Sequence, residues 1–263
     1  MKNNLNEQTI TSFEKLVQLV KVLRSENGCD WDKVQTNESL IPYFIEEVYE
    51  MIDSIDNKNV NNTKEELGDI LLHVVLQSEI FKEHRNFNLN DVIINISDKL
   101  IKRHPHVFQR SYKDNNLNDK ENWEVQKYKD KNRNSILDGV PNILPSIIMA
   151  QRIQEKASMN GFDWQNIDSV WEKFYEEVNE LKVAQESGIQ EKMQEELGDV
   201  LFTIINLSRF MNISSENALR KSNKKFIHRF KSLEKKVKEL DKKVNNVSID
   251  TLNQIWEDVK KSS

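Results

Sequence analysis

One pattern of acidic and apolar residues occurs twice along this chain, and that repeat limits the fold more than any other feature. Phe44-Ile45-Glu46-Glu47-Val48-Tyr49-Glu50 returns 130 residues later as Phe174-Tyr175-Glu176-Glu177-Val178-Asn179-Glu180. At the same offset, Glu65-Glu66-Leu67-Gly68-Asp69 returns unchanged as Glu195-Glu196-Leu197-Gly198-Asp199. Gly28-Cys29-Asp30-Trp31 upstream pairs with Gly161-Phe162-Asp163-Trp164, Lys99 to Arg103 pairs with Lys225 to Arg229, and Trp123-Glu124 pairs with Trp256-Glu257. Five blocks keep their order, so the chain reads as two copies of one unit. Two prolines and a glycine interrupt helical patterning between Ile136 and Pro145, which places an N-terminal unit at 1–135, a linker at 136–145 and a C-terminal unit at 146–263.

The expected fold class is all-α, two tandem helical bundles. Glycine and proline are scarce, 6 and 4 in 263 residues, which leaves few turns and favours long helices. Phe13, Leu16, Val17, Val20 and Leu23 recur at helical spacing. The dense apolar run within Asp69 to Phe81 predicts a buried core helix. Turn formers separate the acidic blocks, Asp56-Asn57-Lys58-Asn59 in one copy and Ser187-Gly188 in the other. Each unit is therefore a helix, a turn and a helix, with acids on both arms. Ser111 to Asn134, polar but containing Trp123, predicts a loop with a short helix.

Glu47 and Glu50 are three residues apart and share a helix face, as do Glu66 and Asp69. An antiparallel hairpin brings these pairs opposite each other, and like charges so placed repel unless a cation joins them. Oxygen ligands suit a hard divalent ion, magnesium best and manganese as a substitute. The competing reading, of solvated faces on an acidic helical interaction protein, explains a lone Glu-x-x-Glu but not its recurrence with spacing intact. A di-iron bundle would need Glu-x-x-His motifs, and neither block has one. His73 has Thr203 as its counterpart, so it is read as an ordinary packed or solvent-facing residue. Glu46 and Glu176, one step round the helix, are the expected general bases that orient an attacking water.

Lys99 with Arg103, and Lys225 with Arg229, project from one face at i, i+4 and can grip a polyphosphate, the lysine as a point charge and the arginine as a bidentate donor. For the second pair the alternative is a solvated face, because Lys221 to Lys243 is basic throughout. Trp123 and Trp256 either pack back on the bundle or offer a face for a nucleobase. Trp31 and Trp164 are read as structural, fixing the entry to the first acidic helix.

A net charge of −5 disfavours a duplex-DNA partner, which calls for a basic surface. No stretch is apolar enough for a membrane span, and the start carries no signal-peptide core. A single cysteine, Cys29, permits no intrachain disulfide. A cytoplasmic protein is expected, with neither membrane nor nucleic acid as partner.

These motifs resemble the two-domain form of the MazG family of nucleoside triphosphate pyrophosphohydrolases. The resemblance rests on Glu46 to Glu50, Glu66 to Asp69, Gly28 to Asp32, Arg103-His104-Pro105-His106-Val107-Phe108, the linker and Gly161 to Trp164, and runs over nearly the whole chain. It implies magnesium at Glu47, Glu50, Glu66 and Asp69, and again at Glu177, Glu180, Glu196 and Asp199. It implies that Lys225, Arg229 and Trp256 hold the nucleotide in the second copy, and Lys99, Arg103 and Trp123 in the first. It further implies a bundle completed by homodimerisation, and hydrolysis of a nucleoside triphosphate between its α- and β-phosphates for clearing the nucleotide pool. No acid is missing from either copy. The copies differ at Cys29 against Phe162 and in the His-Pro-His segment, and the second is expected to be the principal site.

Overall fold

The computed structural model describes residues 7–108, 135–241 and 243–262. The chain divides into two compact units, Met1–Trp123 and Glu124–Ser263, so residues 136–145 belong with the second. The described residues of the first unit form α1 (Glu7–Arg24), the short α2 (Asp30–Val34), α3 (Ile41–Asp56), α4 (Val60–Glu83), α5 (Leu89–Arg103) and the single turn α6 (Pro105–Phe108). Those of the second form α7 (Ser146–Met159), α8 (Ile167–Ser187), α9 (Gln190–Phe210), α10 (Ser215–Glu239), a 3-10 turn (Val244–Asn246) and α11 (Ile249–Lys261). Among the described residues there is no strand, and the all-α expectation holds.

The acidic blocks lie on the arms of two hairpins, α3 with α4 and α8 with α9, the most extensively packed helix pairs. Their turns close where the polar residues predicted them. Asn59 caps α4, its side chain accepting from the Asn62 N–H at 3.2 Å. Gly188 ends α8 in the left-handed region at φ 68°, where a side chain would be strained.

Each hairpin is anchored by its second arm. In the first unit Val75, Leu76 and Ile80 of α4 meet Val20 of α1 and Leu40, all 5 % exposed or less. Phe13, Leu16, Val17, Leu72 and Leu89 pack around them. In the second, Val200, Ile205 and Leu207 of α9 are buried, as are Val170 of α8, Leu233 and Val237 of α10 and Val259 of α11.

The predicted core helix, Asp69 to Phe81, lies within α4, but among the described residues one side of it stays partly exposed. Leu67, Leu71 and Val74 are 52, 40 and 36 % exposed, and their counterparts Leu197, Leu201 and Ile204 on α9 are 48, 54 and 43 % exposed. The repeat therefore copies a partly exposed apolar stripe together with the acids.

An arginine clamp fixes the loop before each hairpin. Arg24 donates to both carboxylate oxygens of Glu83, at 2.7 and 2.6 Å, and to the carbonyls of Asp32 and Gln35, at 2.5 and 3.2 Å. This ties α1 and α2 to the end of α4. Arg209 of α9 grips Asp163 through its two terminal guanidinium nitrogens, one at 2.9 Å. Gly28 is required because a Cβ there would collide with the carbonyl oxygens of Val22 and Leu23. Its partner Gly161 is required for a different reason, its φ of +83°.

Truncating Ile80, 1 % exposed, to alanine leaves a cavity beneath α4 and costs the first unit about 2–5 kcal/mol. Val60→Ala, at a position 80 % exposed, stays within about 0.5 kcal/mol. Denaturant melts of the two variants check this contrast.

Candidate metal centre

Glu47 projects from α3, while Glu66 and Asp69, three residues apart, project from the facing side of α4. One carboxylate oxygen from each lies within 4.8 Å of the other two. The second unit repeats the arrangement with Glu177 of α8 and Glu196 and Asp199 of α9. Three of the four expected acids per unit thus converge. The fourth stands alongside: Glu50 lines an open cleft of about 750 Å³ with Glu46 and Glu66, and its charge acts on both Glu47 and Glu66. Glu180 acts likewise on Glu196.

The convergence has an electrostatic cost. Burial, then the charges of Asp69, Glu50 and Glu66, push the Glu47 carboxyl above its ordinary range. Burial and the neighbouring acids, Glu50 foremost, raise Glu66 although it accepts a hydrogen bond from Glu47. Glu196 is raised by burial and by Glu180, Glu195, Asp199 and Glu177. A set of crowded carboxylate oxygens whose mutual repulsion favours their protonation is one that a hard divalent cation fits.

The second unit holds a residue that sequence reasoning passed over. Lys173, one turn before Glu177, contacts Glu177 at 2.6 Å and Glu176 at 2.9 Å. Those hydrogen bonds hold its ammonium above the ordinary lysine range. Its counterpart at the repeat offset is Tyr43, which packs edge-on against Trp31. A lysine with glutamates at i+3 and i+4 is a readable signal, but it belongs to one copy alone and so stands outside the repeat. Glu176, an expected base, is thereby ion-paired, whereas Glu46 faces the open cleft.

His73 is packed, 8 % exposed against the Phe44 ring, and burial lowers its pKa. On α5, Arg103 is 5 % exposed and Lys99 is half-buried. Trp123 lies outside the described residues. On α10, Lys225 is exposed and Arg229 half-buried, its Nε without a hydrogen-bond partner among the described residues. Trp256 of α11 packs on Phe226, with ring centres 5.3 Å apart. The charge of Arg229 contributes to lowering the neighbouring Glu257 carboxyl, after Lys260. Trp164, read as structural, also lines a hollow of about 620 Å³ that reaches Lys173, Glu177 and Asp199.

A family model described as the MazG nucleotide pyrophosphohydrolase domain matches residues 35–108 and again 165–233. A protein of Thermotoga maritima, described as nucleoside triphosphate pyrophosphohydrolase/pyrophosphatase MazG, is 44 % identical over 254 residues, which span 94 % of this chain and 95 % of that one. A nucleoside triphosphate pyrophosphohydrolase of Escherichia coli strain K12 is 37 % identical over 258 residues, 96 % of this chain and 98 % of its own.

A carboxyl with a raised folded-state pKa binds its proton more tightly in the folded protein. Its penalty is therefore full above that raised value and is relieved as pH falls towards the ordinary carboxyl range, about 4. Glu66→Gln is accordingly expected to raise the melting temperature of the protein in EDTA at pH 7, with the gain shrinking on acidification. Lys173→Met has the opposite effect, since it strands Glu177, 5 % exposed, without its cation. Thermal melts across pH 4–8 read both signs.

Proposed function

The chain belongs to the MazG family of nucleotide pyrophosphohydrolases, and from that premise we propose that it hydrolyses nucleoside triphosphates to the monophosphate and pyrophosphate with magnesium at its carboxylate clusters. The observation that carries this reading is the duplicated trio, Glu47, Glu66 and Asp69, then Glu177, Glu196 and Asp199, each with its oxygens within 4.8 Å. Glu50 and Glu180 would complete the two sets, and manganese can substitute. When bound, the ion neutralises triphosphate oxygens and eases departure of pyrophosphate. Glu46 in the first unit would accept a proton from the attacking water, as would Glu176 in the second once Lys173 has turned from it. Lys173, free to turn from Glu177 once that acid has a cation, would donate to a phosphate oxygen. Lys225, Arg229 and Trp256 would bind the nucleotide in the second unit, and Lys99, Arg103 and Trp123 in the first.

The same reading makes the protein a homodimer that clears unwanted nucleotides from a cytoplasmic pool. Support for the dimer comes from the apolar stripes on α4 and α9, whose residues stay 36 to 54 % exposed among the described residues. No helix among the described residues is long and apolar enough to cross a membrane, in keeping with a substrate found in solution.

Two experiments test these statements. Glu196→Gln combined with Asp199→Asn abolishes magnesium-dependent turnover by the second unit while the protein stays folded; orthophosphate as the primary product from the parent would show that a different bond is cut. Leu201→Glu, in the middle of the α9 stripe, is expected to halve the mass seen by sedimentation equilibrium, and an unchanged mass would exclude that face from the dimer.

A further inference from the structure

The hollow beside the second unit's carboxylates has a lining that metal binding does not require. Lys173, Glu177 and Asp199 supply its charged wall, while Phe162, Trp164 and Phe202 supply apolar surface. Its volume of about 620 Å³ is that of a small-molecule site. Two buried amides also face it, Gln154 of α7, 6 % exposed, and Asn206 of α9, 8 % exposed. Gln154 Nε2 donates to the Phe202 carbonyl at 2.8 Å, which fixes the end of the amide that is oxygen. That Oε1 is buried without a hydrogen-bond partner among the described residues. A buried acceptor so placed carries a desolvation cost that a donor from a ligand removes. Arg209, itself held by Asp163, donates from Nε to Asn206 Oδ1 at 3.0 Å, so the other end of that amide is the donor, Nδ2.

We propose that this hollow is the nucleobase subsite of the second unit, with Gln154 Oε1 accepting from an N–H on the base's pairing edge and Asn206 Nδ2 donating to the neighbouring ring nitrogen or carbonyl. The proposal rests on the nucleotide reading above. Phe162, 85 % exposed, and Trp164, 42 % exposed, offer ring faces for the base. Adenine, cytosine, guanine and uracil all carry an N–H beside an acceptor on that edge. The amide pair therefore selects for an unblocked edge rather than for one base. The first unit lacks the pair. Counting from the Gly-x-Asp-Trp block, Lys21 stands where Gln154 does; at the acidic-block offset, Leu76 stands for Asn206 and belongs to the core.

The test uses the full chain with its first unit silenced by Glu66→Gln and Asp69→Asn. Pyrophosphate release from uridine triphosphate is compared with that from N3-methyluridine triphosphate, and ATP with N6,N6-dimethyl-ATP. Each methylated analogue is expected to lose about tenfold in kcat/KM, equivalent to about 1.4 kcal/mol. Gln154→Met should shrink that ratio to below about twofold, as one lost hydrogen bond requires. Phe162→Ala, at an exposed position that folding does not need, should raise KM for every nucleotide several-fold, and it decides the matter together with the methyl panel should Gln154→Met not fold. Equal turnover of parent and methylated nucleotides overturns the subsite, as does discrimination that survives Gln154→Met in a folded protein. Absence of pyrophosphate from every nucleotide overturns the catalytic reading itself, a result distinct from an active protein that ignores base methylation.

Discussion

Repulsion among carboxylates that the backbone forces together is the interaction on which the rest of this structure turns. Glu47, Glu66 and Asp69 would separate if their helices were free to do so. They cannot, because α4 carries the acids near its start and the apolar anchors Val75, Leu76 and Ile80 further along the same rigid rod. Burial of those anchors against α1 sets the position of the rod, and the tight turn at Asn57 to Asn59 sets α3 against it. The fold thus holds like charges together, and burial first, with the neighbouring acids adding to it, raises the Glu47 and Glu66 carboxyls above their ordinary range.

The two units meet this problem differently. The second places Lys173 against Glu176 and Glu177, while the first has Tyr43 at that position and leaves Glu46 facing its open cleft. The clamps diverge in the same manner. Arg24 reaches from α1 to Glu83 on α4, whereas Arg209 reaches from α9 to Asp163 in the loop. Both solve one mechanical task, pinning the segment that precedes the hairpin, with residues that do not correspond in sequence.

That divergence explains what could be read from the sequence and what could not. The hairpins, their turns and the pairing of Glu47 with Glu66 and Asp69 were legible, since helical spacing and a repeat at constant offset encode them directly. Lys173 and the arginine clamps were not, because a comparison of copies finds shared residues and passes over substitutes. The exposure of Leu67, Leu71 and Val74 was hidden for another reason: an apolar residue reads the same whether its partner lies in its own unit or elsewhere. Trp164 was taken as structural and lines the hollow, while Trp256, left open between packing and stacking, has Phe226 against its ring. Aromatic residues carry no periodic signal that says which surface they will meet.

Crowded acids destabilise a helical hairpin, so nothing in folding accounts for their presence in both units with the geometry intact. An apolar or amide residue at Glu66 or Glu196 would serve the bundle better. The walls around the acids, by contrast, differ freely between units, Gln154 against Lys21 and Asn206 against Leu76. What the two halves share is therefore the part that folding disfavours, and what they do not share is the part that folding tolerates. The cation proposed at the acids, with unequal demands on what lies beside it, would account for both halves of the pattern.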